Sequence, residues 1–332
     1  MRSLLLLVCL PLTMGQDFKP QRCEVIPLPN QQARFLVDGV EKTKWHFGRQ
    51  YPGPFLYPLN GPSGVSLTRM GHPGASNHDH HRSVWLAFHK LNNLNFWAEK
   101  TGNQIRQKHW YRYRDGQDES VMAVCLGWFD AKQKEIMEQD VVIAVRPRDA
   151  GEMEVEFQLT MRPGAGQEAV TLNQTNFGLL AVRVSKTLSA HFGGGVLTNS
   201  EGAKDEPTIF GRPARWVDYS GPVVSGQGEA REVCTEGVTV IDHPSNPEYP
   251  NHWHVREDGW IGASICMKRE YKIEAESELT LRYLLHVHSG AVIAKEANQV
   301  LSRFAARPGF VIRPPKTGEK HLQFEAHRRP GP

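Results

Sequence analysis

Histidines crowd one short stretch of the chain, between His72 and His81. Four of the 15 histidines lie there, and Arg82 follows immediately. Imidazole titrates near neutral pH and can serve as an acid, a base, a hydrogen-bond partner or a metal ligand. Glycine, proline, serine and asparagine among these histidines predict a loop, and the apolar run 83–88 predicts a strand that anchors it. Such loops are typical sites of catalytic and binding residues.

Two roles fit the histidines of this loop. In an extended segment alternate residues share a face, so His78 and His80 would project together and could supply two imidazoles to a metal. His80 and His81 are also suited to acid–base catalysis and are our first catalytic candidates, with Arg82 as a substrate-binding cation. The alternative is a polar loop whose histidines face solvent. The spacing names no third ligand, so we assign no metal residues and leave the cofactor open.

A second histidine cluster lies far along the chain, in residues 242–256. Three prolines in this segment prevent a helix and fix an extended path. His252 and His254 then alternate around Trp253, and a tryptophan among imidazoles and arginine is typical of a sugar-binding cleft. The alternative is a proline-rich connection around a core tryptophan. We predict that His254 is catalytic and that this segment also supplies four substrate-binding residues: His243, Asn246, Trp253 and Arg256.

Asp218 is the best carboxylate partner that the sequence offers, because it lies in the segment RWVDYSG between two aromatic residues. Burial against apolar surface raises a carboxyl pKa, as a general acid or base requires. The alternative is a strand end where Asp218 caps a turn. Asn173 is a candidate amide for sugar hydroxyls, although most such residues form turns. No G-x-S-x-G nucleophile elbow is present in the sequence.

The N-terminal residues 1–15 predict a secretory signal peptide, with Arg2 followed by a short apolar run and small residues. We therefore expect an exported protein, periplasmic or extracellular, whose mature chain is one domain over residues 16–332. No stretch reaches the 18 or so apolar residues of a membrane span. The net charge is only +3 and the charged residues are interspersed, which argues against nucleic acid as a partner. The histidine and tryptophan clusters predict a small molecule or a glycan as the partner instead. The basic tail, 313–329, is interpreted as a solvated terminus.

Four cysteines remain after cleavage, and their scattered positions indicate neither a zinc site nor a redox motif. Cys125 lies in an apolar run and is predicted to be a buried thiol. Cys23 with Cys234 is the pair we consider for a disulfide, since export permits one. A chain of this length can build a core without it.

Alternating apolar and polar residues with frequent turn signals predict an all-β protein. A hairpin is expected over residues 33–47 with Asp38-Gly39 at its turn, and long strands over 120–130, 134–146 and 152–162. Ten or more strands require packed sheets, so we predict a large antiparallel β-sandwich. Residues 291–304 predict one short helix near the C-terminus.

Several motifs together resemble the bacterial PmoA-like family, which is commonly labelled methane oxygenase PmoA: PFLYPLNGPSGVSLTR, HDHHRSVWLAF, FGLLAVRVSK, NSEG, RWVDYSG, HWHVR and LRYLLHVHSG. The methane monooxygenase subunit itself spans the membrane, so methane oxidation is not expected of this chain. The resemblance implies a β-protein often associated with bacteria that degrade polysaccharides. The segment LNQTNFGL is similar to a galactose mutarotase motif, which implies a mutarotase-like supersandwich. Gln174 stands where that motif has a histidine, so the similarity does not extend to mutarotase chemistry.

We therefore predict a carbohydrate-active enzyme of epimerase, lyase or hydrolase type that uses histidine and aspartate for acid–base chemistry. A non-catalytic carbohydrate-binding protein is the alternative, and a histidine-ligated metal-dependent oxidoreductase is the second. All three depend on one spatial condition. The imidazoles near His80 and those near His254 must face one cavity.

Overall fold

The fold is built almost entirely from strands. The computed structural model describes residues 20–72, 78–314 and 324–329. The strands in this part of the chain are β1 (Cys23–Leu28), β2 (Gln32–Val37), β3 (Val40–His46), β4 (Phe55–Leu59), β5 (Val84–Phe88), β6 (Gln104–Arg114), β7 (Ser120–Phe129), β8 (Glu135–Pro147), β9 (Met153–Pro163), β10 (Ala169–Leu172), β11 (Gly178–Arg183), β12 (Val196–Asn199), β13 (Trp216–Ser225), β14 (Glu232–Asp242), β15 (His252–Arg256), β16 (Trp260–Ser264), β17 (Tyr271–Glu274), β18 (Leu279–Ser289), β19 (Phe310–Arg313) and β20 (Glu325–Arg328). The α-helices are α1 (Glu206–Ile209) and α2 (Ala294–Ala306).

Two eight-stranded antiparallel sheets carry the architecture. The first has the order β1-β2-β3-β4-β5-β11-β16-β15, and the second β12-β13-β14-β18-β9-β8-β7-β6. Side chains from both sheets share one apolar core, with Phe35 and Leu86 from the first sheet and Phe157 and Tyr283 from the second. Two small pairs, β10 with β17 and β19 with β20, complete the described strands. The predicted all-β sandwich is confirmed.

The first sheet is buried on both faces around β5. Val84, Leu86 and Phe88 point into the shared core, so the intervening Trp85 and Ala87 point to the opposite face by the period-two rule. There they join a separate aromatic cluster, which contains Phe55, Trp85, Ala87, Trp97, Ala181 and Trp260. The loop that follows β5 supplies Trp97. This outer face is where the first histidine loop meets the sheet.

Helix α2 covers part of the outer face of the second sheet. Its apolar residues Ala297, Val300, Leu301 and Phe304 recur at helical spacing and pack against a patch that includes Trp216. The helix predicted at residues 291–304 is confirmed, shifted by two or three residues at each end.

The C-terminal hairpin β19–β20 packs on the outer face of the second sheet, against β7 and β8, which makes the expectation of a solvated basic tail wrong where the structure describes it. Arg328 ion-pairs with Glu119 and Glu156, and Phe310 packs on the outer face of the second sheet. Residues 315–323 of the tail lie outside the described residues. The ion pair with the buried carboxylate of Glu156 holds Arg328 against the sheet.

Local sequence signals are confirmed at the first hairpin. Asp38 and Gly39 both have positive φ, 50° and 76°, as the tight turn between β2 and β3 requires. All four described cysteines are free, so Cys23 and Cys234 do not pair, and Cys125 is buried as predicted. The predicted signal peptide lies outside the described residues. None of the helices in the described residues is long and apolar enough to cross a membrane.

Candidate functional site

The two histidine clusters meet in one recess on the outer face of the first sheet. The recess has a volume of about 330 Å³ and is lined by His78, His80, His81, Trp97, Phe177, Arg183, His254, Arg256, Asp258 and Trp260. This volume lies at the lower end of the usual range for small-molecule sites. The predicted meeting of His80 and His81 with His254 is confirmed, and we call this recess the histidine pocket.

Strand register explains why a recess forms at this point. Trp85 of β5, Ala181 of β11, Gly262 of β16 and His254 of β15 are direct cross-strand neighbours in one row. Residues that are paired in this way point to the same face of the sheet. Because Ala181 and Gly262 carry little or no side chain, the surface of the sheet is recessed above them. Trp85 and His254 stand at the two ends of this row.

Aromatic rings form the walls of the histidine pocket. Trp260 lies centrally, with its ring centroid 5.2 Å from that of Trp97 and 5.6 Å from that of Phe177. His81 stacks on Trp85 at 5.2 Å, and His254 lies 3.8 Å from Trp260. Flat apolar rings beside imidazoles give one wall for stacking and another for hydrogen bonding.

The hydrogen bond of His254 fixes which ring nitrogen is free. His254 is fully buried, and its Nδ1 lies 3.0 Å from the carbonyl oxygen of Asn176. A carbonyl only accepts, so Nδ1–H is the donor and the neutral ring keeps a lone pair on Nε2. That Nε2 has no hydrogen-bond partner within the described residues. Burial lowers the pKa of His254 to about 3, which keeps the ring neutral at pH 7.

We expect the His254 ring signals to stay constant from pH 8 down to pH 5 in NMR spectra of histidine-labelled protein. Since burial holds the folded pKa at about 3, far below the usual 6.5, the unfolded chain takes up this proton first. Its contribution to stability is therefore complete above pH 6.5 and is lost progressively as pH falls below that value. A His254 titration midpoint near pH 6.5 would contradict this assignment.

His81, which also lines the pocket, is likewise a buried imidazole with a lowered pKa and an unpaired ring nitrogen. It is 3% exposed, burial lowers its pKa far below the usual value, and its Nδ1 has no hydrogen-bond partner in the part of the chain that is described. The ring of His80 lies 4.4 Å away and that of His78 lies 5.0 Å away. The expected alternation is wrong here, because residues 78–80 form a turn that gathers the three rings.

Arg183 and Asp258 line one part of the pocket, and they form a hydrogen-bonded group with His72. The Arg183 guanidinium is 0% exposed and donates to both Asp258 oxygens, at 2.6 and 3.0 Å. His72 Nε2 lies 3.0 Å from Asp258 Oδ2. Burial alone would raise the pKa of Asp258, and the hydrogen bonds from Arg183 and His72 outweigh it, so this pKa lies below its usual range. Neither Arg183 nor Asp258 was among the predicted site residues.

The two predicted arginines have different positions. Arg256 lines the histidine pocket, donates to Glu206 at 2.6 Å and lies over the Phe210 ring at 4.8 Å. Arg82 pairs with Glu99, its guanidinium lies over the Tyr51 ring, and it is not among the described lining residues. The prediction that both arginines share the cleft is confirmed for Arg256 only.

The prediction that Asp218 shares this cleft is wrong. In β13 the neighbouring Val217 and Tyr219 face the core between the sheets, so Asp218 faces the outer side of the second sheet. Its fully buried carboxylate accepts hydrogen bonds from Ser220 at 2.5 Å and Thr239 at 2.8 Å, and His288 Nε2 lies 2.9 Å away.

Trp253 faces away from the pocket as well. It alternates with His252 and His254 in β15, so its indole lies in the core and donates to the Ala214 carbonyl at 2.7 Å. A fully buried ring has no face for a sugar, which makes the stacking prediction wrong.

Three other predicted ligand residues lie outside the histidine pocket. His243 Nε2 accepts from Arg282 at 2.9 Å, and Asn246 donates to Asp242 and to the Arg282 carbonyl, each at 2.7 Å. These contacts tie the end of β14 to β18. Asn173 lies in a neighbouring groove of about 640 Å³, which also contains Phe210 and Asn176. That groove adjoins the histidine pocket through His254, which contacts both residues.

A preformed metal site is not found among the described residues. No group of three or more histidine, cysteine, aspartate or glutamate side chains is arranged there to hold an ion. His78 and His80 are close, with ring centroids 6.0 Å apart, but the second histidine pair does not join them as ligands.

Comparison with known proteins gives a family and several matches among solved structures. A model of DUF6807, described as a family of unknown function, matches residues 32–302. No curated protein matches the sequence. The GalM/aldose epimerase homologue from C. elegans is 8% identical over 82% of this chain and 100% of its own, with a TM-score of 0.33. A heparinase III is 11% identical over 97% of this chain and 43% of its own, with a TM-score of 0.32.

Proposed function

The chain belongs to the DUF6807 family, and we propose that it is an enzyme that binds a carbohydrate in the histidine pocket and transfers a proton with His81 and His254. One observation carries this proposal. Two buried imidazoles, held neutral by burial and each with an unpaired ring nitrogen, lie on a tryptophan-walled recess of small-molecule size.

The walls of the pocket suit a sugar ring. The apolar face of a sugar packs against flat aromatic rings such as Trp97, Phe177 and Trp260, while its hydroxyls need donors and acceptors at the edge. His81, His254 and Arg256 supply those polar groups. A mixture of stacking surface and convergent hydrogen-bond partners is what distinguishes a sugar site from a purely apolar cavity.

The charges favour an anionic sugar. General-base catalysis is most efficient when the pKa of the base is near the working pH, and burial holds the pKa of both imidazoles well below that. A carboxylate beside an imidazole raises its pKa, so a uronate in the recess would bring His81 and His254 toward the useful range. Arg256 lines the same recess, and although its Nη1 donates to Glu206, its remaining N–H groups would bind that carboxylate or the enediolate formed next to it.

The reaction supported best is proton transfer at a carbon, as in an epimerase or a lyase. One neutral imidazole takes the proton α to the carboxylate, and the electron pair of that C–H bond passes into the enediolate. The other imidazole, which the bound uronate would favour in its protonated form, delivers its own proton to the opposite face of the carbon or to the leaving group. Hydrolysis is less well supported, because the common glycosidase mechanism uses two carboxyl groups. The described lining contains one, Asp258, and Arg183 already holds it. We also propose export, on the leader-like residues 1–15, and retain the PmoA-like resemblance as a hypothesis.

The test is to incubate the purified protein with a panel of uronates and neutral aldoses in D₂O. We expect proton NMR to show deuterium incorporation, an epimer or an unsaturated product with a uronate. The double variant His81→Ala/His254→Ala should lower that rate at least about 100-fold, because it removes both proton carriers. His327→Ala, in the C-terminal hairpin, is the matched control and should leave the rate unchanged.

Other results would select other functions. Saturable sugar binding without any product would indicate the non-catalytic carbohydrate-binding protein. A stoichiometric metal in elemental analysis would favour the oxidoreductase. Turnover that persists in the double variant would remove His81 and His254 from the mechanism.

A further inference from the structure

A second and larger cleft lies where the edge of the second sheet approaches the β2–β3 end of the first. Its volume is about 710 Å³, and it has no lining residue in common with the histidine pocket. Residues of the edge strand β6 form one wall, and Phe47 and Arg49, just after β3, form part of the other. We call this recess, defined by Phe47, Arg49, Arg106, Gln107 and Trp110, the edge cleft.

The edge cleft carries positive charge that no carboxylate balances within the described residues. Arg49 and Arg106 both line it, and neither forms an ion pair with a described carboxylate. Arg106 instead donates to the backbone carbonyls of Tyr51 at 2.6 Å, Ile105 at 3.2 Å and Arg49 at 3.4 Å, and burial together with Arg49 lowers its pKa. Lys108 differs, because Glu135 and Glu138 hold its ammonium. Two guanidiniums that line one cleft without a carboxylate counter-ion form a site for an anion.

An unused donor lies beside these arginines. Gln107 accepts a hydrogen bond from the Trp45 indole at 2.9 Å through Oε1, which fixes the orientation of the amide. Its Nε2 is buried and has no hydrogen-bond partner in the described part of the chain. A buried amide donor without a partner costs free energy, and a ligand oxygen in the cleft would recover it.

The cleft also has an exposed aromatic surface. Trp110 is 43% exposed, although a tryptophan is usually mostly buried. Phe47 meets it edge-on at 6.0 Å and Tyr113 lies at 4.6 Å, so neighbouring rings support the indole. A supported, exposed indole beside amide and guanidinium groups is suited to stacking on a sugar ring.

We propose that the edge cleft binds a segment of an acidic polysaccharide, with uronate carboxylates on Arg49 and Arg106 and a sugar face on Trp110. Single-stranded nucleic acid could also stack on an indole, but its affinity comes from neutralising many phosphates. Two unpaired arginines and a chain net charge of +3 do not supply that. The site would hold a polymer independently of the histidine pocket, so the proposal stands apart from the proposed reaction.

Native electrophoresis in gels that contain polygalacturonate tests the proposal, with neutral pullulan and poly(U) as comparison polymers. We expect retardation by polygalacturonate only, and we expect it to weaken as salt screens the charges. Arg49→Ala and Trp110→Ala should each weaken binding about tenfold, as loss of a central contact does. Arg269→Ala removes an exposed arginine outside the cleft and should behave as the wild type.

The variants separate loss of binding from loss of folding. Arg49 is exposed, so Arg49→Glu should keep the thermal unfolding transition while abolishing retardation. Retardation that is unchanged in Arg49→Glu and Trp110→Ala would overturn the proposal. Equal retardation by pullulan, or preference for poly(U), would overturn it as well.

Discussion

Replacing Glu156 with alanine is expected to lower the free energy of unfolding by about 3–5 kcal/mol, the usual cost of breaking a buried ion pair from one side. Glu156 is 1% exposed in the middle of the second sheet's outer face. Its Oε1 accepts from Arg282 at 2.6 Å, and its Oε2 accepts from Arg307 at 3.1 Å and Arg328 at 2.9 Å. Without the carboxylate, three positively charged guanidiniums would lie close together with less negative charge to offset their repulsion.

Part of this loss in the free energy of unfolding comes from weaker attachment of the C-terminal hairpin. Arg328 belongs to β20, so its pairing with Glu156 fixes the hairpin β19–β20 to β9 across more than 150 residues of sequence. Urea unfolding followed by tryptophan fluorescence measures the change. Glu274→Gln is the matched control, because the exposed Lys272–Glu274 pair should contribute at most about 1 kcal/mol. A loss below about 1 kcal/mol in Glu156→Ala would show that Glu156 does not hold the hairpin.

The same carboxylate makes the stability of the fold depend on pH, and the direction of that dependence follows from its pKa. Burial alone would raise the pKa of Glu156, but Arg328 and Arg282 outweigh it and lower the pKa from 4.5 to about 2. A carboxylate with a lowered pKa in the folded state stabilises the protein fully above pH 4.5 and loses this contribution as pH falls toward 2. We therefore expect wild-type stability to fall across that interval, and Glu156→Gln to show a weaker dependence.

Period-two patterns predicted the long strands of the two main sheets, since each of these strands buries one face against the other sheet. They did not predict which face holds the site. Trp253 and Asp218 were selected by residue type, yet each lies on the opposite side of its strand from the histidine pocket. Alternation alone would have separated Trp253 from His254, because adjacent residues of a strand cannot face the same cavity.

Other site features depend on contacts that spacing along the chain does not encode. Arg183 and Asp258 are far apart in sequence, and β11 and β16 become neighbours only through the order of the first sheet. Ala181 and Gly262 have no chemistry of their own, but their places in adjacent strands open the recess. The histidines were predictable because residue type alone shows that an imidazole can transfer a proton or form hydrogen bonds. The shape of the pocket was not, because it follows from register.

Replacing His254 with phenylalanine is expected to lower kcat by about 10²–10⁴-fold, the usual contribution of a general acid or base. Phenylalanine keeps an aromatic ring against Trp260, Phe177 and Phe210, whose centroids lie 3.8, 4.9 and 5.0 Å from that of His254. It removes Nε2, the nitrogen with the free lone pair. Packing is therefore largely retained, and KM should change much less than kcat.

The pH profile separates this chemical role from a structural one. If imidazole is the base, the wild-type rate should fall on the acid side as the ring takes up a proton, and His254→Phe should lose that limb. Phe210→Leu is the matched structural variant, since it disturbs the same ring packing and keeps both His254 nitrogens. It should alter the rate while keeping the acid limb. A His254→Phe enzyme that keeps its kcat within about threefold of the wild type would assign proton transfer to another group, because loss of a true base exceeds that by far.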